Sequence, residues 1–158
     1  NELLAKVYYR LYNVSSIGLR FFTVYGSWGR PDMSYYKFLN LYRQGKVIEI
    51  YNEGDHERDF THISDVVSGI IKAMNSDIKI GVYNLGNNKT VKLMDFINEL
   101  EKVFGISFNK RFIPMQPGDV HKTYADIEKT SKDLNWTPKV NISEGLKEFA
   151  GWYNNYYK

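Results

Sequence analysis

Apolar residues fall at helical spacing from the first turn of the chain. Leu3, Leu4, Val7, Tyr8, Leu11 and Tyr12 recur at i, i+3, i+4, which predicts an amphipathic helix over about residues 2–12. Asn13 supplies a stop, because Asn tolerates left-handed backbone. An apolar, β-favouring run then spans Ile17–Val24. It predicts a strand buried on both faces, as in parallel sheets. The run empties into a loop holding Gly26, Gly29, the Arg30-Pro31 step and Asp32. Ligands of open α/β sheets gather beyond the carboxyl ends of strands. Thr23, Tyr25, Trp28 and Arg30 are therefore expected in or near a pocket.

The alternation of periods continues. Ser34 is expected to cap a helix over about 35–44 that Gly45 ends. Val47, Glu49 and Tyr51 alternate with Ile48 and Ile50, a half-buried strand. Residues 52–55 read as a turn, and 57–63 as a short strand. Ser64 or Asp65 is expected to cap a helix to about residue 75, with Val66, Val67, Ile70, Ile71 and Met74 inward. A strand at 82–86 ends in a glycine turn. Thr90 or Lys92 opens a helix to Phe104, and Gly105 stops it. Phe108 and Phe112-Ile113 suggest a strand or extended segment, and Pro114–Asp119 a turn. Ala125-Asp126 caps a short helix to Leu134, which cannot persist to Pro138. Asn141, with Glu144 three residues on, reads as a capping box for a helix over 142–156. The fold class is α/β, with too few strands for a complete doubly wound sheet.

Composition narrows the function. The chain has 158 residues, enough for one domain with a core. A net charge of +3 is too small to argue for nucleic acid. The absence of cysteine rules out disulfides, thiolate catalysis and thiolate metal sites. His56, His62 and His121 lack metal-ligand spacing. There is no long apolar span, so no membrane partner is expected, and a reducing cytoplasm is the expected location. The chain opens within a helix and without Met, as expected of a piece of something longer.

Three positions stand out chemically. Arg30 sits in a rigid Trp-Gly-Arg-Pro frame and suits a carboxylate or phosphate, though a lone loop arginine is more often plain surface. Arg58 lies between Glu57 and Asp59. A local ion pair and a phosphate contact fit it about equally. Asp119 follows Gly118 and fits either an Asx-turn or a carboxylate accepting from sugar hydroxyls. By pattern alone this is half of an α/β ligand-binding protein, and the ligand stays open.

The run Leu-Arg-Phe-Phe-Thr-Val-Tyr-Gly-Ser-Trp-Gly-Arg-Pro-Asp-Met at 19–33 closely resembles that of bacterial UDP-glucuronate 4-epimerases. These belong to the extended short-chain dehydrogenase/reductase superfamily of NAD-dependent nucleotide-sugar epimerases and dehydratases. Further landmarks follow in the family's order. They are Arg58-Asp59-Phe60-Thr61-His62-Ile63-x-Asp65, Tyr83-Asn84-Leu85-Gly86, Gln116-Pro117-Gly118-Asp119-Val120, Ala125-Asp126, Leu134-Asn135-Trp136-Thr137-Pro138 and the closing Gly145-Leu146-Lys147 with Trp152-Tyr153. The resemblance covers essentially the whole chain.

The resemblance implies a C-terminal remnant of a Rossmann-like doubly wound sheet (residues 1–26 and about 57–88). The rest, about 27–56 and 89–158, forms the smaller α/β domain that binds a UDP-sugar. It implies that Asn1–Leu4 lies just after the lysine of the catalytic Tyr-x-x-x-Lys motif. The chain would then carry no catalytic residue, and most of the NAD site would lie upstream. Phe21 and Phe22 would lie near the nicotinamide. Thr23 would touch the hexose, Arg30 its carboxylate, and Asp32 and Met33 the diphosphate. Main chain around Glu49–Tyr51 would read the uracil, with Tyr51 packed on it. Arg58 would bind diphosphate and Asp119 ribose. Gln116 departs from the Arg of galactose-type relatives, which shifts phosphate neutralisation toward Arg58. The implied reaction interconverts UDP-glucuronate and UDP-galacturonate through a 4-keto sugar. A UDP-glucuronate decarboxylase, a nucleotide-sugar dehydratase, a non-catalytic UDP-sugar-binding module and a folding fragment without ligand are the alternatives. The helix-one region implies a homo-oligomer, since it contributes to a homodimer bundle in the family.

Overall fold

The structure, a computed structural model, describes residues 1–157. Helix α1 (Glu2–Tyr12) ends at Asn13, whose φ of 55° is left-handed, so the expected stop is the observed one. A two-point ion pair, with both Arg20–Glu2 contacts at 2.7 Å, ties the start of α1 to strand β1 (Ser16–Phe21). The apolar residues of α1 are nevertheless exposed, and none is buried.

The run expected as one strand is two. β1 pairs in parallel with β6 (Ile80–Leu85), whereas β2 (Thr23–Tyr25) pairs in parallel with β5 (Phe60–His62). The break falls at Phe22. There the Val24 N–H turns back to the Phe22 carbonyl at 3.0 Å, and the Thr23 N–H donates to the Asp59 carbonyl at 3.0 Å. A γ-turn of this kind ends one ladder and starts another. Burial on both faces is also corrected. No residue of β1 is fully buried, Phe21 is half exposed, and only Tyr25 of β2 reaches the core.

Helix α2 (Ser34–Arg43) starts with Ser34 inside its first turn rather than as its cap. Met33 occupies the cap position and no side chain caps it. Gly45, with φ +66°, supports the chain reversal after the helix. β3 (Ile48–Tyr51) buries Ile48 and Ile50 completely and leaves Glu49 and Tyr51 half-buried, as its alternation requires. It pairs in parallel with β8 (Lys110–Ile113) along one edge only. The turn at 52–54 is a short 3-10 helix. β4 (Glu57–Arg58) pairs antiparallel with β7 (Val91–Lys92).

Helix α3 (Ile63–Met74) is capped by His62, not by Ser64 or Asp65; the Ser64 N–H donates to His62 Nδ1. Asp65 is instead buried. Its carboxylate accepts from the Lys139 and Val140 N–H groups at 2.9–3.0 Å, and its carbonyl accepts from Trp136 Nε1. Of the five residues expected inward, Val66 is buried and Ile70 half-buried. Val67, Ile71 and Met74 are exposed, because α3 meets β1, β2, β5 and the helix α5 (Glu128–Leu134) along one narrow side.

Helices α4 (Leu93–Phe104), α5 (Glu128–Leu134) and α6 (Ile142–Tyr156) complete the chain. Asn141 caps α6 through the Glu144 N–H at 2.9 Å. Two apolar clusters form. One gathers Tyr35, Tyr36, Leu39, Ile48, Ile50, Phe96, Leu100, Leu146 and Phe149 around Tyr25 and Phe60. The other holds Tyr83, Leu85, Ala125, Ile127, Leu134 and Trp136. Residues 125–136 pack against β6 and α3.

Two buried histidines make folding pH-sensitive. Desolvation pushes the pKa of both His56 and His62 below the ordinary 6.5. The unfolded chain binds protons near that value while the folded chain does not, so the stability present above pH 6.5 is lost as pH falls beneath it. The urea midpoint is expected to be lower at pH 5.5 than at pH 7.5. Equal midpoints would contradict this account.

Candidate functional site

The site is assembled by one buried carboxylate. Asp59 has no solvent exposure. Its Oδ1 accepts from the Asn87 N–H at 2.6 Å and the Thr61 hydroxyl at 3.1 Å. Its Oδ2 accepts from the Ala125 N–H at 3.1 Å. Its own N–H donates to Thr123 Oγ1. Gly86 belongs to the same junction, since a Cβ there would run into Ala125 Cβ. These bonds bind β4–β5 to the turn after β6 and to residues 123–125. The Glu57 N–H then reaches the His121 carbonyl at 2.9 Å, and the Thr123 N–H reaches the Glu57 carbonyl at 3.1 Å. The loop carrying Asp119 is thereby laid beside Arg58.

Arg58 makes no pair with its sequence neighbours' carboxylates. Its guanidinium donates to Asp119 Oδ1 at 3.0 Å and to the Glu57 and His121 carbonyls, each at 3.0 Å. Glu57 pairs with Lys122 at 2.9 Å, and the Lys122 hydrogen bond is the main cause holding its carboxyl below the usual range. The Asp119 carboxylate also accepts from the Val120 N–H at 2.8 Å. Arg58 is thus held by three acceptors, and Asp119 is held at Oδ1 by two donors.

Arg58 and Asp119 line a cavity of about 550 Å³. Thr23, Asp32, Glu49 and Tyr51 share its wall with Lys37, His56, Phe60 and Leu93. Its polar groups divide into paired and unpaired. Glu49 is paired with Arg111, and Arg58 with Asp119. Lys37 has no carboxylate partner among the described residues. The first turn of α2, with Ser34 on the cavity wall, has no capping side chain and no acidic residue. Its free N–H groups favour an anion.

A second cavity, of about 510 Å³, adjoins at Thr23, which lines both. Phe21, Phe22, Trp28, Arg30, Met33 and Tyr35 are among its walls. Arg30 stands 3.3 Å from Asp32 and is largely exposed, with 76% of its side chain accessible. Trp28, largely exposed, meets Trp152 in a tilted contact and Tyr156 edge-on, at centroid distances of 5.2 and 5.3 Å.

Thr23, Asp32, Glu49, Tyr51, Arg58 and Asp119 therefore meet in one cavity, and Phe21, Phe22, Arg30 and Met33 in its neighbour. Gln116 is exposed and lines neither. Sequence reasoning missed Lys37 and His56. Lys37 lies three residues from Ser34 on α2, so the helical period could have found it. His56 gave no signal.

The cavity sets two cations, Lys37 and Arg58, among the carboxylates of Asp32, Glu49 and Asp119, in an α/β chain whose strands pair mostly in parallel. The sequence pattern of the NAD dependent epimerase/dehydratase family matches residues 1–86, and the chain belongs to that family. It is 56% identical over 153 residues to an uncharacterized protein of Methanocaldococcus jannaschii, covering 97% of this chain and 47% of that one. It is 35% identical to a probable UDP-glucuronate 4-epimerase of Rhizobium meliloti, covering 99% and 52%. Among solved structures, UDP-glucuronic acid 4-epimerase from Bacillus cereus, in complex with UDP-glucuronic acid and NAD, superimposes with a TM-score of 0.90. The identity is 35%, covering 99% of this chain and 50% of that one. The chain spans about half the length of these relatives.

Replacing Asp59 by Ala leaves the buried Ala125 N–H and the half-buried Asn87 N–H without an acceptor. At about 1–3 kcal/mol per orphaned donor plus the lost charge-assisted bonds, a destabilisation of about 3–5 kcal/mol is expected in urea unfolding. A loss below about 1 kcal/mol would show that Asp59 does not hold the junction.

Proposed function

We propose that this chain is the nucleotide-sugar-binding part of an NAD-dependent epimerase that interconverts UDP-glucuronate and UDP-galacturonate at C4 through a 4-keto sugar. One observation carries the reading. A cavity holding Arg58, Lys37 and the uncapped start of α2 joins, at Thr23, a cavity whose mouth bears the exposed Arg30. That is a place for a diphosphate followed by a place for a carboxylate. The likeness to enzymes named for UDP-glucuronate supports the same direction.

In this reading the unpaired edge of β3 offers main chain to the uracil, and Tyr51 packs on the base. Arg58 and Lys37 neutralise the diphosphate as it runs past Asp32 and Met33 toward the α2 N-terminus. Asp119 accepts from ribose. Thr23 hydrogen-bonds the hexose, and Arg30 takes its carboxylate with two parallel donors. Phe21, half exposed at the end of β1, and Phe22 beside it make an apolar wall that fits one face of a nicotinamide. NAD, when bound, supplies the hydride acceptor and donor for C4. The chain's own residues hold the nucleotide rigidly and leave the sugar room to turn between the two cavities. The exposed apolar face of α1 supports self-association as a homo-oligomer.

Calorimetry tests the division of roles. Arg58→Ala is expected to weaken UDP, UDP-glucose and UDP-glucuronate alike, by roughly tenfold. Arg30→Ala is expected to weaken UDP-glucuronate by roughly tenfold and leave UDP-glucose nearly unchanged. Equal losses for the two sugars would remove Arg30 from carboxylate recognition. No binding of UDP to the unaltered chain would overturn the nucleotide reading itself.

A further inference from the structure

His56 is a titratable residue of the cavity wall that the proposed function leaves unused. It is 4% exposed, lines the 550 Å³ cavity, and its Nε2 has no hydrogen-bond partner among the described residues. Asp119 Oδ2 lies 3.3 Å from that nitrogen, outside hydrogen-bond geometry. Burial disfavours the charged ring, against the pull of Asp119; Arg58 and His121 oppose protonation and Asp55 favours it. A neutral imidazole carries one N–H. The carboxylate beside Nε2 selects the tautomer with the proton there. A small rotation of the Asp119 carboxylate then gives the buried donor its acceptor.

The two oxygens of Asp119 are unequal. Oδ1 is already taken by Arg58 Nη2 and the Val120 N–H. Among the described residues Oδ2 accepts no hydrogen bond, and His56 Nε2 stands 3.3 Å from it. A carboxylate oxygen accepts about two hydrogen bonds, so with His56 on one lone pair Oδ2 has one left. The carboxylate is a third exposed and the cavity lies in front of it. The group that completes it must be a donor. A phosphate oxygen is excluded by charge, and a hydroxyl fits.

We propose that His56 is a positioning residue: it fixes the plane of the Asp119 carboxylate so that Oδ2 accepts from a hydroxyl of the nucleotide's ribose, and so makes the cavity selective for ribonucleotides over deoxyribonucleotides. The proposal rests on the nucleotide reading above and adds the determinant of sugar type. Arg58 fixes one end of the carboxylate and His56 the other.

The test compares UDP with 2′-deoxy-UDP and 3′-deoxy-UDP by calorimetry. UDP carries no hexose, so any hydroxyl effect belongs to the ribose. The unaltered chain is expected to bind UDP roughly tenfold more tightly than at least one deoxy analogue. His56→Leu is expected to weaken UDP by about five- to tenfold while leaving that analogue unchanged, so that the preference collapses. His56→Gln, which keeps a donor, restores part of it. Thermal unfolding verifies that each variant is folded, and the comparison on the unaltered chain needs no variant. Equal affinity for UDP and both analogues overturns the proposal, as does a His56→Leu variant that weakens every ligand alike or none. UDP binding with no such preference removes His56 and leaves the nucleotide reading standing. Absence of UDP binding removes both.

Discussion

Everything at the cavity depends on where the Asp59 carboxylate sits. It is buried without a cation, yet it accepts from two backbone N–H groups and a hydroxyl. Each of those donors would be costly to leave unpaired, so the arrangement is rigid. Through it, three segments far apart in sequence are held together: the strands at 57–62, the turn at 86–87 and the extended run at 123–125. Arg58 precedes Asp59, and Asp119 lies just before the extended run. Neither residue can change its position without breaking the junction. Asp65 repeats the device in the first turn of α3, where it collects the Lys139 and Val140 N–H groups ahead of the α6 cap.

The electrostatics of the cavity follow from this frame. Arg58 is neutralised in part by Asp119, and Glu49 by Arg111, so the field an anion meets comes mainly from Lys37 and the open N-terminal turn of α2. That turn begins where the loop carrying Arg30 ends. The loop is held by hydrogen bonds, from the Tyr35 hydroxyl to the Gly26 carbonyl and from the Met33 N–H to the Arg30 carbonyl, and by Trp28, in left-handed backbone at φ 60°, against the aromatic end of α6. The anion site and the loop that follows it thus share one anchor, and the two cavities stay in register at Thr23.

Much of this was legible in the residues, for physical reasons. Helix ends were readable where a backbone demand selects a residue: Asn13 and Gly105 in left-handed conformations, Asn141 capping α6. The alternation of β3 was readable because one face is fully buried. The break at Phe22 was not, because a γ-turn inside an apolar run leaves no compositional mark. The caps of α2 and α3 were misassigned because Ser34 and Ser64 look like caps wherever they stand, while His62 does not. Arg58 beside Glu57 and Asp59 suggested a local pair and a phosphate contact about equally. Its partner lies 61 residues away, and only the Asp59 junction reveals it. The resemblance at 19–33 led to the family, and the periodicity of α2 contained Lys37. Nothing in the sequence marked His56, whose role arises from what the fold places beside it.

The central claim is that the two adjoining cavities hold one UDP-sugar in a single orientation. A crystal of the chain soaked with UDP-glucuronate tests it most directly. The account predicts uridine against Tyr51 and β3, the diphosphate between Arg58 and Lys37, and the sugar carboxylate at Arg30. Nucleotide density in any other place, or in the reverse orientation with the carboxylate at Arg58, would contradict it.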